Sequence, residues 1–317
     1  MANANSPLKS ASGPAAQADW QVVVRRRLRA IARFIRQLFA QPSAAIGTLI
    51  VIFFLILALF GSAIAPYGEN DQSHPTAVAP GTADYPLGTD FLGRDILSRV
   101  ILGTSSIFVN AGLGTLVAVG IGTAVGLLIG YQGGWLDEVV SRLIDAFLAL
   151  PALLIALVAL GVVRGAVIDP TPTQRFLLDN SVLLVIAAVY APIVARVVRG
   201  STLEIKTLEF VQAARIRGET VPYILFREIF PSVVPALVVE ASLRFSYAIF
   251  LVAALGFLGV GARPPTPDWG LMVSESSGGR FQLAPWALTY PAIAISLLVI
   301  GVNLMSDGIK NIVQKSE

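Results

Sequence analysis

The sequence predicts an all-α, polytopic membrane protein with six transmembrane helices. Three observations carry this. Mean hydropathy is +0.73. Only 14% of the 317 residues are charged, against roughly 25% in a soluble domain that must cover its surface. The apolar residues gather in runs of about 20, the length that crosses the hydrocarbon of a bilayer. These features exclude a soluble enzyme, a disordered chain and a coiled coil. The runs also lack the alternation of a porin-type barrel. With no cysteine there are no disulfides or thiolate sites, and a single histidine, His74, argues against a histidine-built metal centre.

The first span is expected over Ser43–Ala65, with no charged residue. The Ser62-Ala63-Ile64-Ala65 string resembles a cleavage site, but about 40 residues precede the apolar run, too many for a signal peptide's basic region. An uncleaved span is therefore expected. Ser106–Gly130 follows, uncharged and glycine-rich, then Leu143–Val163 with Pro151 inside. The fourth is Leu178–Val198, and the fifth is Pro235–Gly261, with Glu240 and Arg244 in its early turns. Trp286–Ser306 is the sixth, opened by Trp286 and Tyr290 at the depth of an aromatic belt. The chain thus divides into a basic N-terminal region (1–42), the first span (43–65), an outer loop (66–105), a five-helix core (106–306) and a tail (307–317).

Basic residues set the orientation. The N-terminal region, the connection between the fourth and fifth spans and the tail together hold 15 Lys and Arg, against six in the other three connections. Both termini are expected to be cytoplasmic. Arg25–Arg36 interleaves arginines with Leu28, Ile31, Phe34 and Ile35. This is the pattern of an amphipathic helix on anionic lipid, with nucleic-acid binding disfavoured beside a span.

Two polar stretches are too long for turns. The outer loop 66–105 closes in Leu87-Gly88-Thr89-Asp90 and Gly93-Arg94-Asp95, with Arg99 beyond. Asp90, Asp95, Arg94 and Arg99 can form local ion pairs, which suits either a self-satisfied cap or a docking surface. The inner connection 199–231 reads as a helix over Gly200–Ile216, a break at Gly218 and a second short helix over Pro222–Ile229. It is either a solvated linker or a knob that another protein grips.

Gln212-Ala213-Ala214, followed by Gly218 and Pro231, resembles the EAA loop of ABC importer permeases. Gln212 stands where that family usually has Glu, and Glu228 and Phe230 also depart from the pattern. The outer-loop strings above, Gly133-Gly134-Trp135-Leu136-Asp137, Phe257-Leu258-Gly259-Val260-Gly261, Pro267-Asp268-Trp269-Gly270 and Asn303-Leu304-Met305-Ser306-Asp307-Gly308 point the same way. Together they resemble the second permease of the dipeptide, oligopeptide and nickel importer class, from about Pro42 onward.

That resemblance implies the type I importer (MetI-like) permease fold in a bacterial inner membrane. It implies four partners: a homologous permease, two ABC ATPase subunits and an extracytoplasmic substrate-binding protein. It implies a coupling helix near Glu204–Gly218, with Glu209, Gln212, Ala213, Ala214, Gly218 and Pro231 serving the ATPase contact, and a smaller contact from Tyr131–Arg142. Small side chains at Ala213 and Ala214 would allow the ATPase close approach. Docking of the binding protein would fall on the outer loops Pro66–Ser105 and Ala262–Pro285, involving Asp90, Arg94, Asp95, Arg99, Asp268 and Trp269. Deleting Pro75–Pro80 is expected to be tolerated. The cargo class is peptides, with nickel chelates or oligosaccharides as alternatives.

The residues agree with a chain that is not an enzyme. It has four lysines and no G-x-x-x-x-G-K-[ST] loop, so it is expected to bind no cofactor or metal itself, ATP and Mg²⁺ being held by partners. Glu240 and Arg244, four apart, are expected to form a structural ion pair near the inner face, and Arg142 with Asp145 another. No midplane charge is expected, which disfavours a secondary transporter. Gly122, Gly126 and Gly130 make a flat face, for packing either within this chain or against a second permease. Pro151, Pro192 and Pro291 are expected to kink their spans.

Overall fold

The computed structural model describes residues 29, 32–165 and 171–315. Much of the amphipathic helix expected at 25–36 lies outside them; residues 32–39 are helical. Every long apolar run becomes helix, because backbone polar groups in hydrocarbon must be satisfied within the segment. α1 (Pro42–Ile64) is followed by the loop 66–95. α2 runs continuously over Ile96–Gln132. It starts ten residues before the expected second span, since Asp95 caps it by accepting from the Ser98 backbone N–H at 2.7 Å. Residues Phe108–Leu113 within α2 are wound as a π-helix.

The expected third span is not one straight helix. It is split into α3 (Gly134–Leu148) and α4 (Ala152–Gly165), bent by 93°. Pro151 lies at the break, where it has no N–H to offer and disfavours helix at the preceding residue. Pro192 and Pro291 lie inside continuous helices. Among the described residues, five helices are therefore long and apolar enough to cross, and the bent pair would make a sixth.

α5 (Pro172–Asp179) is a short separate helix, and the fourth span is α6 (Ser181–Ile205). α7 (Glu209–Ile216) is detached from α6 by a turn at 206–208, so the single helix expected over Gly200–Ile216 is two. α8 (Val221–Phe257) absorbs the second short helix and the fifth span into one unit through a π-wound stretch at Ile224–Ile229. Pro231 thus opens the regular helix, while Pro235 lies inside it. α9 (Trp269–Glu275), α10 (Gly279–Leu283) and α11 (Trp286–Gln314) complete the chain.

The glycine face of α2 packs within this chain. A Cβ on Gly122 would lie 2.6 Å from the Ala191 carbonyl oxygen, one on Gly126 2.6 Å from that of Ala195, and one on Gly130 2.8 Å from Thr202 Cβ. Three glycines at four-residue spacing let the backbones of α2 and α6 touch. α11 meets α1 in the same way: a Cβ on Gly47 would lie 2.6 Å from the Gly301 carbonyl oxygen. Between these pairs lies the main core, with Phe54 edge-on to Trp269 at 5.4 Å.

Candidate coupling surface and outer cap

The segment before α1, the end of α11, the α2–α3 junction and α7 share one end of the bundle: Leu38 packs with Ile309 and Ile312, and Val211 with Leu127 and Val198. α7 is amphipathic. Val211 and Ala214 are fully buried against Ile224, Leu225 and Ile229, while Glu209, Gln212, Ala213, Ile216 and Arg217 face outward. Ile216 is 87% exposed, a large apolar side chain presented at the tip.

Gly218 ends α7 in the left-handed region, at φ +77°. Its N–H donates to the Arg215 carbonyl at 3.0 Å, and the Glu219 N–H reaches back to Ala214 at 3.2 Å. This paired closure is the Schellman motif, which glycine adopts without a Cβ penalty. Of the six residues expected at a coupling contact, Glu209, Gln212, Ala213 and Gly218 lie on the exposed knob. Ala214 does not: its small side chain lets α7 sit on this chain's own core. Pro231 is exposed, but on α8.

Beside the knob, α3 is tied to α6. Arg199 Nη2 donates to Asp137 at 2.8 Å, Asp145 pairs with Arg196, and Lys206 Nζ donates to the Gly130 carbonyl at 2.7 Å. The expected Arg142–Asp145 pair is replaced by Arg142–Glu138, one helical turn apart on α3. Asp145 is taken by Arg196 of α6, and the four-residue spacing of Glu138 and Arg142 suits the alternative pair.

At the opposite end the loop 66–95 and the 258–285 connection fold into a cap. Asp90 accepts from the N–H groups of Leu92 and Arg94 at 2.8 and 2.9 Å, and from Arg94 Nε at 2.6 Å. Arg94 Nη2 continues to Glu275 at 2.8 Å. Arg99 does not pair with Asp95: its Nη1 donates to the Glu69 carbonyl at 2.7 Å and the Pro265 carbonyl at 3.3 Å. Asp268 caps α9 by accepting from the Leu271 N–H and binds the Ser106 hydroxyl. Burial pushes its carboxyl above the ordinary value. Trp269 donates Nε1–H to the Val100 carbonyl at 2.9 Å.

All six expected docking residues, Asp90, Arg94, Asp95, Arg99, Asp268 and Trp269, are at most 4% exposed. They are interior struts of the cap, because their hydrogen bonds join three separate sequence segments. Leu92, Phe281 and Leu283 are exposed on it instead. The segment Pro75–Pro80, expected to tolerate deletion, is hydrogen-bonded into the cap. Thr89 Oγ donates to the Pro75 carbonyl at 2.6 Å and accepts from the Val78 N–H at 2.9 Å, and the Ala77 N–H donates to Asp90.

Within the bundle Glu240 and Arg244 approach to 2.7 Å. The pair exists as expected, one helical turn apart on α8.

Residues 122–316 match the family model for the binding-protein-dependent transport system inner membrane component. The chain belongs to this family. Residues 30–80 match a second model, the N-terminal transmembrane domain of oligopeptide transport permease C. The permease is 36% identical over 275 residues to the dipeptide transport system permease protein DppC of Haemophilus influenzae, covering 84% of this chain and 88% of that one. It is 33% identical to the DppC protein of Alkalihalophilus pseudofirmus, covering 87% and 86%. It is 34% identical to the glutathione transport system permease protein GsiD of Pectobacterium atrosepticum, covering 88% of each. The permease is thus an integral membrane component of a binding-protein-dependent transporter, with its family model spanning the α2 glycine face, the knob and α11.

Sequence reasoning missed Glu275, the acid that joins Arg94 to α9. It lies 181 residues from Arg94, so no local pattern signals it. The Asp137–Arg199 pair was equally hidden, across 62 residues.

Proposed function

We propose that this permease forms half of the translocation path of an ATP-driven importer of short peptides. Both termini and the α7 knob would be cytoplasmic, and the cap would face a substrate-binding protein. The carrying observation is the knob: a short helix seated by Val211 and Ala214, closed by Gly218, presenting Glu209, Gln212, Ala213 and Ile216 outward. An exposed apolar tip rimmed by polar residues is the character of a protein-binding surface. The chain carries no phosphate-binding lysine loop, so the energy would come from two ATPase subunits that hold ATP and Mg²⁺ and grip α7. A second permease would complete the path.

α3 offers a mechanical route inward. A push on α7 bears on Ile224, Leu225 and Ile229 at the start of α8. Motion of α6 would carry α3 with it through Asp137–Arg199 and Asp145–Arg196. The cap, cross-tied by buried hydrogen bonds, would present a fixed surface to the binding protein through exposed Leu92, Phe281 and Leu283.

Peptide cargo is supported by the DppC and GsiD relatives. Reconstitution tests the reading: the permease purified with its partners in proteoliposomes is expected to take up dialanine only with ATP and the binding protein. Uptake without ATP, or a permease that retains no ATPase through purification, would overturn it.

A further inference from the structure

Arg244 lies at the middle of the regular helix Phe230–Phe257, about 20 Å from its start at 1.5 Å per residue. Its surroundings draw on α6 and α2 as well as α8. The guanidinium stands 6.0 Å from the ring of Tyr190, in the middle part of α6, and 5.0 Å from that of Tyr247. The adjacent Phe245 packs at 5.8 Å on Phe108, where α2 is π-wound. Such π segments often mark functional positions. Two residues on, Ser246 donates to Asn303 of α11 at 2.7 Å, so several polar groups share this level.

The arginine is ion-paired but, among the described residues, makes no hydrogen bond. Its Nε approaches Glu240 Oε1 to 2.7 Å, but off the hydrogen-bonding direction, and neither atom has a hydrogen-bond partner. Among the described residues no other acceptor meets the guanidinium. Beside it Tyr247 and Phe250 are exposed, at 53% and 67%. A cation within an apolar span belongs against protein or a water-filled path, since hydrocarbon contact is costly.

We propose that Arg244, walled by Tyr190 and Tyr247, is the point on this chain's path that holds a carboxylate of the passing cargo. The inference rests on the transport reading above. Guanidinium matches carboxylate as a two-pronged donor. Aromatic faces steady the cation while leaving its edge open. Glu240, 2.7 Å away, balances the charge when the site is empty, and the guanidinium's remaining N–H groups are left to meet a carboxylate.

The test is dialanine uptake at subsaturating concentration by the complete transporter in proteoliposomes. R244Q is expected to lower uptake at least about tenfold, the effect of one lost charge-assisted hydrogen bond. The double variant E240Q/R244Q is expected to stay as low. Recovery in the double variant would make the pair purely structural and overturn the proposal, as would unchanged uptake in R244Q. Loss of the second permease on purification of R244Q would assign Arg244 to a subunit contact, also overturning it. If R244Q does not assemble, R244K carries the test: a severalfold loss is expected because the fork is gone, and normal uptake would overturn the proposal. A wild-type transporter that hydrolyses ATP but moves no dialanine would refute the peptide reading itself, and this inference with it.

Discussion

Arg94 donates through Nη2 to Glu275 at 2.8 Å while its Nε binds Asp90 at 2.6 Å, so one buried guanidinium joins the outer loop to α9. Its side chain is 4% exposed, against 16% for Glu275. Removing one member of a buried ion pair strands the others and costs about 3–5 kcal/mol. R94M is therefore expected to lower the thermal stability of the purified permease by an amount in that range. The conservative E275Q, at the more exposed end, is expected to cost less. Equal melting temperatures for R94M and wild type would show that the cap is not held here.

Deletion of residues 75–80 is expected to behave like R94M, with loss of the Thr89 contacts to Pro75 and Val78. Protease resistance of the cap is the measurement. A deletion variant as resistant as wild type would mean that the segment is ornamental.

Gly218 has no atom within 4 Å of an added Cβ, yet its φ is +77°. A side chain fits in space but not in backbone conformation, at a cost of about 1–2 kcal/mol. G218V is expected to leave membrane insertion intact and to loosen the end of α7. Uptake should then fall severalfold more than ATP hydrolysis in the reconstituted complex. Normal values for both would remove the knob from coupling.

A bulky residue on the α2 glycine face has no such freedom. A Cβ at Gly126 would meet the Ala195 carbonyl oxygen at 2.6 Å and Val198 Cβ at 2.8 Å. G126L is expected to force α2 from α6 and abolish accumulation of folded permease. G120L, at a position with nothing within 4 Å, is the matched control and is expected to accumulate normally.

Asp268 gives a pH dependence. Burial raises its carboxyl in the folded chain above the unfolded value. Between those two values the folded form holds the proton more tightly. Its stability contribution is therefore complete below the unfolded pKa and is lost as pH rises through the folded one. D268N keeps a side-chain cap for α9 without the buried charge. Melting of D268N is expected to fall less steeply than wild type as pH rises through that window, whereas D268A is expected to melt lower throughout. Identical slopes for D268N and wild type would rule out Asp268 as the source.

Most of the architecture was legible because hydrocarbon imposes one solution on a long apolar run. The positions of α1, α6 and α11 follow from that alone; the break at Gly218 was legible for a different reason, since glycine takes the positive φ of a helix end without a Cβ penalty. The candidate site was legible only in part. Gln212 and Ala213 were found through their motif and do face outward, but Ala214 beside them faces in. Helical period separates the two once the helix start at Glu209 is known, and the turn at 206–208 that sets this start has no proline or glycine to announce it.

The sequence by itself determined the solvent, the number of apolar runs and the end of the bundle where the basic residues gather. These are properties of composition and local order. Tertiary structure decided which charges are partners. Arg94 reaches Glu275 across 181 residues and Arg199 reaches Asp137 across 62, because buried charges must be satisfied by whatever the packing brings near. It also decided what surrounds Arg244: Tyr190, 54 residues earlier on α6, stands 6.0 Å from the guanidinium only because packing brings α6 and α8 together.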